Sequence, residues 1–171
     1  MSSQTAIRDE VGRGVAELAG KYLTFALADE EYGIGILKVR EIIGLMEITA
    51  VPQTPSYVKG VINLRGRVIP VIELRSKFGM PAQEYTDRTC IIVVEVSSSD
   101  EGTIQVGVLV DSVSEVLNIS AEEIEAPPSF GNTQVSANAI LGMAKIKGDV
   151  KILLDVNSVV SEGLIEKFSD L

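Results

Sequence analysis

From Lys21 onward the chain reads as a succession of short extended segments. KYLTFALA sets Tyr22, Thr24 and Ala26 against Leu23, Phe25 and Leu27, the period-two pattern of a half-buried strand. ADEE makes a turn, YGIGI resumes the sheet and VREIIGLMEI follows. Thr54-Pro55 predicts a single helical turn, with threonine as N-cap, proline at the first position and Gly60 closing it. VINL and RVIPVIEL flank Arg65-Gly66, the signature of a tight hairpin. Pro70 lacks an N–H, which places the second of these strands at an edge or a bulge. Beyond a polar connector at 76–89, CIIVVEV, QVGVLV, AILGMAKI and VKILLDV supply further strands, with SSSDEGT as a hairpin loop. Ser120 and Glu123 have the spacing of a capping box for a short helix, and LIEKF suits one or two terminal helical turns. Residues 1–20 stand apart: Ile7, Val11, Val15 and Leu18 have near-helical spacing, but Gly12 and Gly14 weaken it. Two readings stay open there, a mobile tail or a weakly docked helix.

The pattern repeats. YGIGILKVREII (32–43) matches VGVLVDSVSEVL (106–117) at an offset of 74, pairing Gly33 with Gly107 and Glu41 with Glu115. GVINLRGRVIPVIEL (60–74) matches GMAKIKGDVKILLDV (142–156) at an offset of 82, pairing Gly60 with Gly142, Gly66 with Gly148 and Glu73 with Asp155. TPSY (54–57) has an echo in PPSF (127–130). Two copies of about five strands predict two similar antiparallel barrels or sandwiches, each marginal alone and therefore sharing an interface. Glycines present in both copies are read as backbone requirements.

Composition narrows the chemistry. The 171 residues carry 24 acids and 15 bases, a net charge of −9, no histidine and one cysteine. Without histidine there is no imidazole catalysis and no His-containing zinc site. Cys90 has no internal disulfide partner and reads as an inert thiol in a reducing cytosol. The negative balance argues against nucleic acid as a partner. No apolar run approaches the roughly 18 residues of a membrane span, and the start lacks the features of a signal peptide. Gly33-Ile-Gly35 lacks the third glycine of a dinucleotide fingerprint, and SSSDEGT lacks calcium-loop spacing. Glu41/Glu115 and Glu73/Asp155 occur once per copy, an arrangement that seldom sets two acids across one cleft. No catalytic, cofactor-binding or metal-binding residue is assigned. Against this background Lys59, Arg65, Arg67, Arg75 and Lys77 form a local basic strip containing one acid, Glu73.

Three segments, EEYGIGILKVREI (30–42), ITAVPQTPSYVKGVINLRGRVIPVIELRSKFG (48–79) and VGVLVDSVSEVL (106–117), carry a further signal. In them the chain resembles the CheW family of bacterial chemotaxis coupling proteins, from about residue 21 to about 160. The resemblance implies an all-β fold of two five-stranded SH3-like barrels. The expected organisation is a tail (1–20), a first barrel (21–87), a second barrel (88–160) and a C-terminal helical segment (161–171). It implies no catalysis and no cofactor. The implied protein is a cytoplasmic adaptor, monomeric when free and not inserted in the membrane. It would join the cytoplasmic tips of methyl-accepting chemoreceptors to the regulatory domain of the histidine kinase CheA in membrane-associated arrays. No kinase, receiver or transmembrane segment is expected to accompany it. The family's receptor-binding surface lies in the groove between the barrels, which by motif points to Val39, Glu41, Ile42, Gly60, Asn63, Arg65 and Val116. A receptor tip is a helical hairpin, so an apolar groove with charges at its rim suits it. The strand at 67–73 is a candidate edge for kinase contact. The resemblance also implies that the arginine of the NLRG turn pairs with the acid of the VxEI motif, here Arg65 and Glu41. Glu115 and Lys147 occupy the matching repeat positions, which predicts a pair in each barrel, only the first facing the groove. The alternatives are a coupling protein of a sister chemosensory pathway, a small-molecule-binding barrel, or a carboxylate-dependent enzyme with convergent acids in a deep pocket.

Overall fold

The computed structural model describes residues 16–98, 102–127 and 139–161. Eleven strands dominate it: β1 (Gly20–Leu27), β2 (Glu30–Gly35), β3 (Val39–Gly44), β4 (Val58–Leu64), β5 (Arg67–Glu73), β6 (Cys90–Ser98), β7 (Gly102–Val110), β8 (Ser112–Ile119), β9 (Ile124–Glu125), β10 (Ile140–Ile146) and β11 (Asp149–Leu154). Two short helices follow the hairpins of the repeat, α1 (Leu74–Lys77) after β5 and α2 (Val156–Ser161) after β11. The all-β expectation and the two similar halves hold. LIEKF, most of the tail and the tip of SSSDEGT lie outside the described residues.

The sheets do not follow the division at 87/88. One has the order β8-β1-β2-β11-β10-β9 and the other β3-β6-β7-β5-β4. Each sequence copy therefore gives its first hairpin to the sheet built mainly from the other copy. The seams are parallel and equivalent: β11 runs beside β2 with Leu153 opposite Gly33, and β5 beside β7 with Val71 opposite Gly107. Each sheet thus contains one parallel pairing, where antiparallel pairing alone was expected, and the two-residue β9 makes one sheet six-stranded.

This exchange explains the core. β1 is buried on both faces, not half-buried: Tyr22 and Leu153 pack inside the six-stranded sheet, while Leu23, Phe25 and Leu27 join Ile92, Val94, Val96, Val106 and Val108 between the sheets. Ile62, Leu64, Ile69, Val71, Ile91 and Val93 fill the five-stranded half. The inter-sheet cluster is the largest of the three, which meets the expectation of a shared interface between halves too small to be stable alone.

Three local expectations are corrected or refined. The helical turn expected at 54–60 is reduced to one hydrogen-bonded turn, with the Val58 N–H donating to the Pro55 carbonyl at 3.0 Å. The Thr54 hydroxyl does not cap it but donates backward to the Val51 carbonyl at 2.9 Å, and β4 already begins at Val58. Pro70 lies on an interior strand, but before Val71, where the pairing with β7 begins, so its missing N–H breaks no bond on that side. The strand read as VKILLDV (150–156) ends at Leu154, and Val156–Ser161, to which no helix was assigned, forms α2. The capping box holds, with the Ser120 backbone N–H and hydroxyl both donating to Glu123 Oε1 at 3.0 Å ahead of a 3₁₀ turn at Ala121–Glu123.

Candidate functional site: the Glu41–Arg65 hairpin face

The turn between β4 and β5 has Arg65 at φ 51° and Gly66 at φ 86°, the two left-handed residues of a type I′ hairpin. Asn63 Oδ1 accepts the Gly66 N–H at 2.9 Å and holds the turn. Arg65 then reaches Glu41 on β3 and forms an ion pair. Since β3 and β4 are opposite edges of the five-stranded sheet, the pair spans the place where the sheet curls until its edges meet. Thr49 and Val61 exchange both backbone hydrogen bonds at 2.9 Å and close the same gap. Gly60 lies beneath, at φ 146°, buried against Thr49.

Of the seven sequence-predicted residues, the structure brings Glu41, Gly60, Asn63 and Arg65 together at this closure. Val39 packs against the inter-sheet core. Ile42 is 46% exposed on β3, and Val116 is 50% exposed on β8, an edge of the other sheet. Both large apolar side chains stand toward solvent on sheet edges, an arrangement suited to a partner and unexplained by the core.

The second predicted pair does not form. Lys147 repeats the turn geometry (φ 52°), but among the described residues neither it nor Glu115 has an ion-pair partner. Lys145, which stands where the first copy has Asn63, pairs with Glu125 on β9 instead.

The basic strip is dispersed rather than free. Arg65 pairs with Glu41, Lys59 lies 3.5 Å from Glu73, Arg75 pairs with Asp111, and Lys77 sits over the Tyr57 ring at 4.1 Å from its centroid. Within the strip, Arg67 is exposed and has no ion pair among the described residues.

The symmetric acids are structural. Glu73, 6% exposed, accepts from the Ser76 hydroxyl at 2.8 Å and the Tyr85 hydroxyl at 2.7 Å. Asp155, its counterpart, accepts from the Ser158 hydroxyl at 3.0 Å and the Asn157 N–H at 3.1 Å. Asp155 caps the helix that follows its hairpin through the Asn157 N–H, whereas Glu73, at the equivalent position, accepts from hydroxyls and from no backbone N–H of its helix. Of the three acids lining a cavity of about 100 Å³ beside Arg75 and Tyr85, Glu73 and Asp111 are already committed to Lys59 and Arg75, which leaves Glu84 alone. That disfavours convergent acid–base chemistry. Burial raises the Cys90 thiol above its ordinary value, as an inert thiol requires.

Asp111 and Arg75 were not singled out as a pair by sequence. The signal was the repeat itself, which sets Asp111 against Leu37 and Arg75 against Asn157. Arg75 Nε and Nη2 donate to the two oxygens of Asp111 at 2.7 and 2.5 Å. The guanidinium holds the Asp111 carboxyl below the usual aspartate range. A depressed folded value contributes stability above the unfolded value of about 3.9 and loses it as pH falls through the folded one. Urea midpoints of the wild type and Asp111→Asn should therefore differ at pH 6 and draw together as pH falls below about 4. A gap that stays constant with pH would contradict the pairing.

The geometry, two curled sheets with exchanged hairpins and an acid–arginine closure, can be set beside known proteins. Residues 21–163 match the family model described as the CheW-like domain. This chain belongs to the CheW family. It is 39% identical over 152 residues to the chemotaxis protein CheW of Klebsiella aerogenes, covering 86% of this chain and 88% of that protein. It is 37% identical to the chemotaxis protein CheW of Rhizobium meliloti, covering 80% and 84%. The crystal structure of the scaffolding protein TtCheW from Thermoanaerobacter tengcongensis superposes with a TM-score of 0.75 at 32% identity, covering 86% of this chain and 96% of that one. The CheW-family match accords with the two SH3-like halves.

Proposed function

We propose that this chain is a non-enzymatic chemotaxis adaptor that couples the cytoplasmic tips of transmembrane chemoreceptors to the regulatory domain of CheA. In this reading it is monomeric when free and is recruited from the cytoplasm to receptor arrays. Among the described residues no helix is long and apolar enough to cross a membrane. The observation that carries the reading is the Glu41–Arg65 closure, flanked on β3 by exposed Ile42. A helical hairpin offers apolar side chains at i, i+3 and i+4, which Ile42 and Val116 would receive from the two sheet edges. Glu41 and Arg65 would set polarity and register at the rim. Their side chains are 30% and 70% exposed, and an exposed ion pair adds at most about 1 kcal/mol to folding. The arginine is therefore removable without unfolding the protein.

Arg65→Ala should weaken binding of a soluble receptor-tip fragment at least tenfold, about 1.4 kcal/mol, in a calorimetric titration. Its urea midpoint should stay close to that of the wild type. Unchanged affinity would overturn the assignment of this face.

A further inference from the structure

Because the two copies exchange hairpins, the chain crosses between sheets twice, at Ile36–Lys38 between β2 and β3 and at Asp111 between β7 and β8. The two corners are equivalent in the repeat but are secured differently. At the second, Asp111 accepts both nitrogens of the Arg75 fork and, through Oδ2, the Ala28 N–H at 2.8 Å. Arg75 also donates to the Pro81 carbonyl at 3.1 Å and to Gln83. Arg75 sits on α1, which follows the five-stranded sheet, whereas Ala28 is in the β1–β2 turn of the six-stranded one. One carboxylate therefore ties both sheets together at the residue that opens β8. At the first corner Leu37 stands in the place of Asp111, 93% exposed, and neutral Asn157 stands in the place of Arg75. Among the described residues Asn157 Oδ1 accepts only the Ser97 N–H, at 3.2 Å.

We propose that Arg75 is a positioning residue: through Asp111 it fixes the start of β8, and with it Val116, relative to the sheet that carries Glu41, Ile42 and Arg65. The unclamped corner at 36–38 is the one that yields. The proposal rests on the reading that the receptor surface draws on both sheets. A bidentate fork suits the task, because two parallel bonds fix orientation where a single ammonium contact fixes only distance.

The test is residue-resolved hydrogen exchange on the full chain for the wild type, Arg75→Gln and Arg75→Lys, combined with titration by a receptor-tip fragment. In the wild type, amides at 36–38 should exchange faster than those at 111–113. Arg75→Gln should speed exchange at Ala28 and along 112–116 at least tenfold and leave β4 and β5 unchanged. It should also weaken the fragment at least fivefold. Arg75→Lys, which keeps the charge without the fork, should recover only part of both effects, and it serves as the working variant if Arg75→Gln does not fold. Unchanged exchange at these sites, or a uniform rise over all strands, overturns the positioning role. So does local loosening with undiminished affinity while Arg65→Ala still weakens binding. If neither Arg65→Ala nor Arg75→Gln alters binding, the receptor surface itself is misassigned and the proposal falls with it.

Discussion

Gly60→Ala should cost about 4 kcal/mol of folding stability, and Gly60→Val more. The glycine holds φ 146°, a conformation that residues with a side chain rarely adopt, at the Val58/Gly60 irregularity in β4. A Cβ built there meets the Thr49 carbonyl oxygen at 2.0 Å and its carbon at 2.7 Å. Both obstacles are backbone, so no rotamer change relieves them. The chain at 49–50 must move away, taking with it the paired bonds between Thr49 and Val61 and the packing of Met46 and Ile48 on the core. Gly66 provides the contrast. At φ 86° it also favours glycine, but nothing lies within 4 Å of a built Cβ, so Gly66→Ala should cost only about 1–2 kcal/mol. Urea unfolding of the two variants checks the difference. Equal losses would mean that backbone angle alone, and not the approach of Thr49, sets the requirement at Gly60. Gly142, the repeat partner of Gly60, meets the same kind of neighbour, with the Glu125 carbonyl oxygen 3.0 Å from its built Cβ. The glycines shared by both copies thus mark close backbone approaches as well as turns.

Phe25→Ala should remove a comparable amount, about 3–5 kcal/mol. The ring is fully buried in the inter-sheet cluster and stacks on Tyr32 with centroids 5.9 Å apart and planes 18° apart. Tyr32 continues to Phe78 at 5.8 Å, so the three rings join β1, β2 and the end of α1. Truncation leaves a cavity in the cluster the two halves share, and both should loosen together in one transition rather than one half melting first. Thermal unfolding followed by two probes, near-ultraviolet signal and backbone circular dichroism, reports this. Two separated transitions would contradict a shared core. Against the 5–15 kcal/mol typical of a whole protein, either substitution is severe.

Much of the local structure was legible in the sequence because it rests on local chemistry. Arg65-Gly66 and Lys147-Gly148 announced two type I′ turns, and Ser120 with Glu123 announced its cap. The repeat announced two halves. Which strands would pair was not legible, since likeness between two segments says nothing of which neighbours they choose. That is why both sheets draw strands from either side of 87/88 while the duplication stands. Thr54-Pro55 misled because the threonine hydroxyl has a backward acceptor in Val51, and α2 was not anticipated because valine and serine, which fill most of it, are weak helix formers. At the candidate site, Glu41 and Arg65 were readable from motif and repeat together. The fate of the basic strip was not. Asp111 lies 36 positions beyond Arg75, and Glu73 is buried among Lys59, Ser76 and Tyr85 by folding alone.

We propose a separation of surfaces on this chain, one for a chemoreceptor tip and another for CheA. It is tested most directly by amide shift mapping of the isotope-labelled chain, titrated first with a receptor-tip fragment and then with the CheA regulatory domain. The tip fragment should shift β3, the 63–66 turn and β8 around Val116, and the kinase domain should shift a different set. No response to either partner, or one patch answering to both, would contradict the account.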